Sequence, residues 1–220
     1  LARRVLRGLR RRDLLNAGER VSIALSGGSD SVALVWLFQE IASAGHVAIA
    51  GLVHLNHGLR AEESNADEAF CRALAARIGW PIDVGQIDAA ALARAQAQSV
   101  ETAGRAARYR FFEAAAKRLG ADVVMTGHTL DDQAETVLLR LLRGAGTRGL
   151  AGVRPRRGPY VRPLLEVRRA ELRQYLVDRD ESYRDDSSND DRSIARNRVR
   201  HELMPIIGRQ AELTAVKDLL

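Results

Sequence analysis

Residues 21–31 read VSIALSGGSDS, an apolar run followed at once by a turn of glycines and serines. The five residues VSIAL have the length and apolar character of a buried strand, and an apolar helix is predicted to begin near Asp30. A short buried strand that leads through a tight glycine turn into a helix is typical of a βαβ unit. This stretch therefore predicts an α/β fold.

The rest of the chain repeats this alternation of short apolar strands and longer helices. The alternation predicts a doubly wound, mostly parallel sheet with helices on both faces, a Rossmann-like arrangement. We expect one domain over residues 1–205, with residues 206–220 beginning a connector to a further C-terminal part. Strands are predicted at about 47–53, 81–87 and 122–126, and helices at about 2–12, 63–78, 99–119, 130–143, 168–178 and 194–203, the last ended by Pro205.

Charge is the most informative feature of the composition. The 220 residues include 34 lysines and arginines against 28 aspartates and glutamates, for a formal net charge of +6. Only Lys117 and Lys217 are lysines. An arginine excess favours recognition of phosphates or carboxylates, because the guanidinium donates two parallel hydrogen bonds. A genome biased toward arginine codons explains the same excess, so the charge favours a nucleic-acid partner without establishing one.

The composition also excludes several classes of protein. Hydrophobic residues make up 46% of the chain and charged residues 28%, which is ordinary for a globular protein. No apolar stretch approaches the roughly 20 residues that cross a bilayer, and no export signal is visible. The single cysteine, Cys71, cannot form an internal disulfide. From this content we expect a cytoplasmic, metal-free protein with no membrane partner.

The turn SGGSDS has the composition of a phosphate-binding loop. Its glycines let the backbone approach an anion, and its hydroxyls and the amides of the following helix can donate to phosphate. Asp30 stands where a Walker loop has lysine, and an acid among phosphates indicates a bridging Mg²⁺. The alternative is a plain tight turn with Ser29 or Asp30 as helix cap. The candidate phosphate-binding residues are Ser26, Gly27, Gly28, Ser29, Asp30 and Ser31.

A second polar group follows a predicted strand in TGHTLDDQAET, residues 126–136. Thr129 and Asp132 have the spacing of a capping box, which is a purely structural explanation for Asp132. Asp131 and Glu135 are one helical turn apart, so they share a face, and His128 precedes them. Such a cluster can hold a metal ion, an ammonium group or a proton in transit. Both motifs are predicted at the carboxyl ends of strands, where open α/β sheets bind ligands.

Three further segments carry candidate binding groups. In HLNHGLR, residues 54–60, the two histidines lack a third ligand for zinc. The predicted helix at about 99–119 places Arg105 and Arg108 at helical spacing. The alternative to a binding role is a solvated helix face held by ion pairs. A third segment, RNRVR, follows an acidic turn near the end of the chain. The candidate residues in these segments are His57, Arg60, Arg105, Arg108, Arg196 and Arg200.

These blocks, in this order, resemble the tRNA(Ile)-lysidine synthetase family of N-type (PP-loop) ATP pyrophosphatases. The resemblance covers about residues 20–205, and GHTLDDQAETVLLRLLRGAGTRGLAGV at 127–153 is its most specific part. It also includes the blocks ExxxRxxRY, RPLL, RxEL and RNRVR. It implies an ATP-dependent ligase that adenylates C2 of the wobble cytidine in a CAU anticodon and then joins free lysine there, releasing pyrophosphate and AMP. ATP and Mg²⁺ are the implied cofactors, and tRNA(Ile) and lysine the implied partners; a homodimer is left open.

The resemblance also implies roles for the candidate residues. Ser26–Ser31 would bind ATP, and Asp30 would hold the magnesium ion. Asp131, Asp132 and Glu135 would bind lysine. Two rivals remain: a tRNA thiolation enzyme, for which Cys71 offers no cysteine pair, and a non-catalytic RNA-binding module. The implied catalytic residues are Asp30, Arg105, His128, Asp131, Asp132 and Glu135, and the implied tRNA or phosphate contacts are His57, Arg60, Arg108, Arg196 and Arg200.

Overall fold

The computed structural model describes residues 1–58, 61–146, 150–185 and 191–210. The predicted tRNA contact Arg60 lies outside these ranges. So do most of the acidic turn before RNRVR and the last ten residues of the predicted connector. Among the described helices, none is long and apolar enough to cross a membrane.

A six-stranded sheet forms the centre of the molecule, in the order β3-β2-β1-β4-β6-β5. All neighbouring strands run parallel except β5, which pairs antiparallel with β6. This arrangement confirms the predicted doubly wound, mostly parallel sheet. The strands are β1 (Arg20–Ala24), β2 (Ala48–Asn56), β3 (Ile82–Gln86), β4 (Val123–Met125), β5 (Arg156–Arg157) and β6 (Tyr160–Val161).

The predicted helices agree with the observed ones to within a few residues, and the structure adds α4 and α9. The sequence patterns do not predict the hairpin β5–β6 or the short helix α4, because each is too short to show a clear apolar period. The helices are α1 (Ala2–Arg11), α2 (Ser29–Ser43), α3 (Ala61–Ile78), α4 (Ala89–Gln96), α5 (Val100–Leu119), α6 (Leu130–Leu142), α7 (Arg169–Val177), α8 (Ala195–Arg198) and α9 (Met204–Gln210).

The end of the described chain differs from the prediction. The sequence predicts that Pro205 ends a helix, yet Pro205 is the second residue of α9, and helical backbone continues to Gln210. A π turn over Val199–Leu203 joins α8 to α9. In a regular helix interior a proline ring clashes with the preceding turn and lacks an N–H donor. The wider π turn relieves that crowding immediately before Pro205.

Two hydrophobic cores cover the two faces of the sheet. The larger core packs α1, α2 and α7 against one face, with Val5 and Leu9 of α1 among its buried side chains. The second core packs α5 against the other face through Phe112 and Val124. Because parallel strands end at one edge, the segments after β1, β4 and β6 emerge side by side. The register confirms this proximity, since Met125 pairs with both Ile23 and Val161.

Replacing Gly51 with alanine is expected to destabilise the protein by about 2–3 kcal/mol. Gly51 lies in β2, and a Cβ there would stand 2.7 Å from the backbone oxygen of Pro81, closer than real Cβ atoms approach. Urea denaturation measures the loss. The matched control is Gly146→Ala, because a Cβ at Gly146 meets nothing within 4 Å among the described residues. Equal stability of both variants would contradict this steric explanation.

Candidate active site

The serine–glycine turn after β1 is ordered by hydrogen bonds of its own serine side chains. Gly27 has a φ of 92°, which disfavours any residue with a Cβ. The Ser31 hydroxyl donates to Gly28 O at 2.9 Å and accepts from Ser26 N at 3.2 Å. The cap of α2 is Gly28, without a side-chain bond, so the alternative in which Ser29 or Asp30 caps this helix is wrong. Asp30 therefore remains available for other contacts.

The start of α6 is fixed by the predicted capping box. Thr129 Oγ1 accepts from Asp132 N at 3.3 Å, and Asp132 Oδ2 accepts from Thr129 N at 2.7 Å. Both residues are buried. One Asp132 oxygen thus orders the helix start, while the other, Oδ1, points to cationic groups. The capping explanation and a role in the site are compatible.

Arg169, the first residue of α7, connects the two motifs. Its Nε donates to Asp30 Oδ2 at 2.9 Å, and its Nη2 donates to Asp132 Oδ1 at 3.2 Å. Its Nη1 lies 3.5 Å from Glu135 Oε1. Its backbone N–H donates to Asp131 Oδ2 at 2.7 Å. Asp30 of the serine–glycine turn and Asp132 and Glu135 of α6 therefore meet around one guanidinium, while Asp131 binds the backbone of the same residue.

Two more arginines reach the same acids from the end of the chain. Glu135, whose side chain is 1% exposed, accepts from Arg196 Nε at 2.6 Å and from Arg200 Nε at 2.7 Å. Arg196 also donates to Asp132 Oδ1 at 3.0 Å. The predicted phosphate contacts Arg196 and Arg200 thus pair with the predicted lysine-binding acids. A lysine ammonium group would meet carboxylates that already have cationic partners.

Burial and charge act in opposite directions on these groups. Burial alone would raise the pKa of Asp132, but Arg169 and Arg196 outweigh it and the pKa lies below its ordinary value. For Asp30, burial outweighs Arg169, and the pKa is raised. The acids hold the pKa of Arg169 above its ordinary value despite burial. A bound cation stabilises the charged form of a buried carboxylate, so Asp30 is suited to binding a cation.

His128 lies after β4, half-buried beside the acids. Its Nδ1 is 2.9 Å from Thr126 Oγ1. Its pKa is lowered to about 4, mainly by burial and also by Arg162, Arg196 and Arg105, while Asp132 opposes the shift. His128 is therefore uncharged at pH 7 and can accept or donate a hydrogen bond without adding charge to the site.

Acidification between pH 6.5 and 4 is expected to destabilise the protein through His128. Its folded pKa of about 4 lies below the unfolded value of 6.5, so the unfolded chain binds more protons in this window. The free energy of unfolding should therefore fall by up to about 3 kcal/mol as the pH is lowered through the window. Urea denaturation from pH 7 to 4 measures this fall. His128→Gln should reduce the slope, with the remainder coming from His57, whose pKa is also lowered to about 4, and an unchanged slope would contradict the role of His128.

Two functional candidates are missed by reasoning from the sequence. Arg169 belongs to the RxEL block, and its position at a helix start after RPLL was the available signal. Arg162, which directly follows β6, is only 5% exposed. Its Nη1 donates to Arg154 O at 2.8 Å, while its Nε has no partner among the described residues. A buried arginine is costly unless paired, so Arg162 is a candidate for binding a substrate anion at this edge.

The predicted arginines of α5 form a separate group. Arg108 donates to His57 Nε2 at 3.2–3.3 Å, and burial together with Arg108 lowers the pKa of His57 to about 4. Arg105 is exposed and lies over the Tyr109 ring, 5.3 Å from its centroid. Among the hydrogen bonds of the described residues, none joins Arg105 or Arg108 to the acids of α6. These residues lie at the same edge of the sheet as the α6 acids, but they do not belong to the cluster around Arg169.

No group of three or more histidines, cysteines, aspartates or glutamates suited to a metal ion occurs within residues 1–58, 61–146, 150–185 and 191–210. Mg²⁺ does not need such a group, because it is commonly held by one or two carboxylates, water and substrate phosphates. Asp30 and the neighbouring hydroxyls fit that donor set. Cys71 is buried, and burial raises the pKa of its thiol to about 12, so it is not a nucleophile.

Comparison with known sequences identifies relatives over most of the chain. A tRNA(Ile)-lysidine synthase from Thermus thermophilus is 46% identical over 185 residues, which cover 84% of this chain and 35% of that protein. The enzyme of that name from Treponema pallidum strain Nichols is 45% identical, with coverages of 84% and 40%. That from Chlorobaculum tepidum is 39% identical, with coverages of 93% and 62%. The chain thus spans from about a third to somewhat under two thirds of these relatives.

Solved structures share the fold at low sequence identity. The U34-tRNA thiolase NcsA from Methanococcus maripaludis has a TM-score of 0.73 at 16% identity, over 99% of this chain and 78% of that chain. NMN synthetase from Francisella tularensis has a TM-score of 0.52 at 16% identity, over 82% and 70%. Residues 3–207 match the PP-loop domain family. The family resemblance seen in the motifs is thereby confirmed: the chain belongs to the PP-loop domain family.

Proposed function

We propose that this chain uses ATP to activate C2 of the wobble cytidine of a CAU-anticodon tRNA(Ile) and then joins free lysine to that carbon. The names of the relatives and the PP-loop family support the reaction class. The observation that carries the proposal is the meeting of the serine–glycine turn with the α6 acids at Arg169. A triphosphate on the turn and an amine on the acids would then be close enough to react in sequence.

The first step is adenylation of the cytosine carbonyl. The C2 oxygen attacks the α-phosphorus of ATP, an O–P bond forms, and pyrophosphate leaves. The amides and hydroxyls of Ser26–Ser31 would hold the phosphates. Asp30 would hold Mg²⁺, which when bound would neutralise the charge that develops on pyrophosphate. Arg162 and Arg105, which both influence His128, lie where they can contribute positive charge.

The second step is attack by lysine. Its ε-amine forms the N–C2 bond, the C2–O bond to AMP breaks, and AMP leaves. Asp131, Asp132 and Glu135 would receive the ammonium group, and one of these carboxylates would take the proton that the amine must lose. Because the Arg169 guanidinium already contacts Asp132 and Glu135, lysine binding at these two acids requires the guanidinium to move or to share them. Its contact with Asp30 then links lysine binding to the ATP loop.

Measurements of pyrophosphate release, lysine incorporation and RNA binding with this chain test the proposal together. Pyrophosphate release from ATP is followed with and without lysine, and with and without CAU-anticodon RNA. We expect RNA-dependent release, and incorporation of lysine into RNA only when both substrates are present. RNA binding without ATP consumption would favour the non-catalytic RNA-binding alternative and contradict the proposal. Loss of release when Mg²⁺ is removed with EDTA, and recovery on its return, tests the metal assignment.

Glu135→Gln is expected to reduce lysine transfer about tenfold more than it reduces pyrophosphate release. The amide keeps the shape and one oxygen acceptor but loses the negative charge that would attract an ammonium group. Both steps are measured on the same preparation, after circular dichroism shows that the variant is folded. Equal loss of the two steps would contradict a role in lysine binding.

We also propose a cytoplasmic location. The only cysteine in the sequence is buried and unpaired, which suits a reducing compartment. Fractionation of cells that express the tagged protein, with a cytoplasmic marker enzyme as reference, tests this location.

A further inference from the structure

We propose that one face of α1, formed by Arg3, Arg7 and Arg10, binds the phosphodiester backbone of the RNA substrate outside the reacting nucleotide. This inference rests on the proposed function, since it assumes an RNA substrate. It assigns a binding role to an element that the reaction itself does not use.

The charge of α1 is far from balanced. The helix reads ARRVLRGLRR, with five arginines and no acid, and Arg12 follows it. Within the described part of the chain, two carboxylates meet these arginines: Glu171 pairs with Arg4, and Glu166 pairs with Arg11 and Arg12. Arg3 and Arg7 are exposed and have no ion pair among the described residues. The face therefore carries uncompensated positive charge.

Arg3, Arg7 and Arg10 form one stripe along α1. Positions 3, 7 and 10 follow the spacing of a helix face, with about 6 Å of rise between Arg3 and Arg7. They line a shallow groove of about 590 Å³ together with Leu6 and Arg11. Arg10 Nη2 lies 3.2 Å from His46 Nδ1, a contact that leaves the guanidinium charge in place.

The first turn of α1 is tied to α7, the helix that begins with Arg169 of the candidate site. Arg4 Nη2 donates to Glu171 Oε1 at 2.6 Å, and Glu171 lies in the first turn of α7. The same turn starts with Arg169, which binds Asp30 and Asp132. From there α1 runs along α2 toward His46, which follows the end of α2. We expect the backbone of an RNA that presents one base to the site to continue along α1.

RNA fits this face better than a membrane surface does. A basic helix that lies in a membrane inserts its apolar face. In α1 the apolar residues Val5 and Leu9 are 2% and 3% exposed and belong to the core. Phosphodiester groups need only the arginine face, and guanidinium binds phosphate through paired hydrogen bonds.

The test compares two double variants of this chain. R3Q/R7Q removes two charges from the stripe. R110Q/R157Q removes two exposed arginines that lie outside α1, one in α5 and one in β5. Binding to a fluorescent CAU-anticodon stem-loop RNA is measured by anisotropy from about 50 to 200 mM salt. We expect R3Q/R7Q to lose about tenfold in affinity at the lowest salt, and its slope of log K against log salt to decrease by about 1.5. The control should change less than twofold.

The outcomes separate this inference from the proposed function. If the unmodified chain binds RNA and both variants bind equally well, the stripe has no role and only this inference is overturned. If the unmodified chain binds no RNA, both are overturned. Binding of anionic phospholipid vesicles that R3Q/R7Q abolishes, with RNA binding unchanged, would assign the stripe to a lipid surface and overturn the inference as well.

Discussion

Asp30→Ala should lower pyrophosphate release by at least about 100-fold. Asp30 is the acid of the serine–glycine turn, and its carboxylate would hold Mg²⁺ against the leaving pyrophosphate. Without it, the negative charge that develops in the transition state loses its counter-ion. Release is measured at saturating ATP and RNA, so that the change reports on the chemical step.

The fold should survive this substitution. Arg169 keeps its contacts with Asp132 and Glu135 when Asp30 is removed. Asp83→Ala is the matched control, because Asp83, on β3, is a similarly buried aspartate that pairs with an arginine, Arg118. It should release pyrophosphate at the rate of the unmodified chain. Retained release in Asp30→Ala would remove the magnesium assignment.

Glu135→Ala should destabilise the protein by about 3–5 kcal/mol. Glu135 is almost fully buried and accepts from Arg196 and Arg200, with Arg169 close by. Its removal leaves three neighbouring guanidinium groups that repel one another, with Asp132 between them and Asp30 beside Arg169 alone. The loss is measured as the change in the free energy of unfolding in urea.

An exposed glutamate provides the control. Glu202 pairs with Arg192 at 3.2 Å, and both side chains are more than half exposed. Exposed ion pairs contribute little, so Glu202→Ala should cost less than about 1 kcal/mol. If Glu135→Ala costs no more than Glu202→Ala, the arginine–acid cluster does not stabilise the fold.

The cluster has a consequence for how the site works. In the proposed reaction, lysine would compete with Arg169 for Asp132 and Glu135, and Arg169 also binds Asp30 of the serine–glycine turn. A substrate cation that displaces Arg169 from the acids would therefore change the environment of Asp30. This coupling predicts that pyrophosphate release and lysine binding are linked through one side chain.

Local sequence patterns determined the architecture of this protein. VSIAL followed by SGGSDS predicts the first strand, turn and helix, because a buried parallel strand is a short apolar run and a glycine turn has a distinct composition. The capping box of Thr129 and Asp132 is predictable for the same reason, since its bonds join residues three apart. The prediction that Pro205 ends a helix is wrong, because the π turn that admits the proline has no local signature that we recognised.

Only the tertiary structure decided which charges meet. Asp30 and Arg169 are 139 positions apart in the chain, and Glu135 and Arg200 are 65 apart. Sequence reasoning therefore treats the acids as an open pocket and the arginines as phosphate contacts, whereas in the folded chain they pair. An ion pair that is weak at the surface constrains the structure strongly when it is buried. Here the burial depends on how α6, α7 and α8 pack, and no short stretch of sequence specifies that packing.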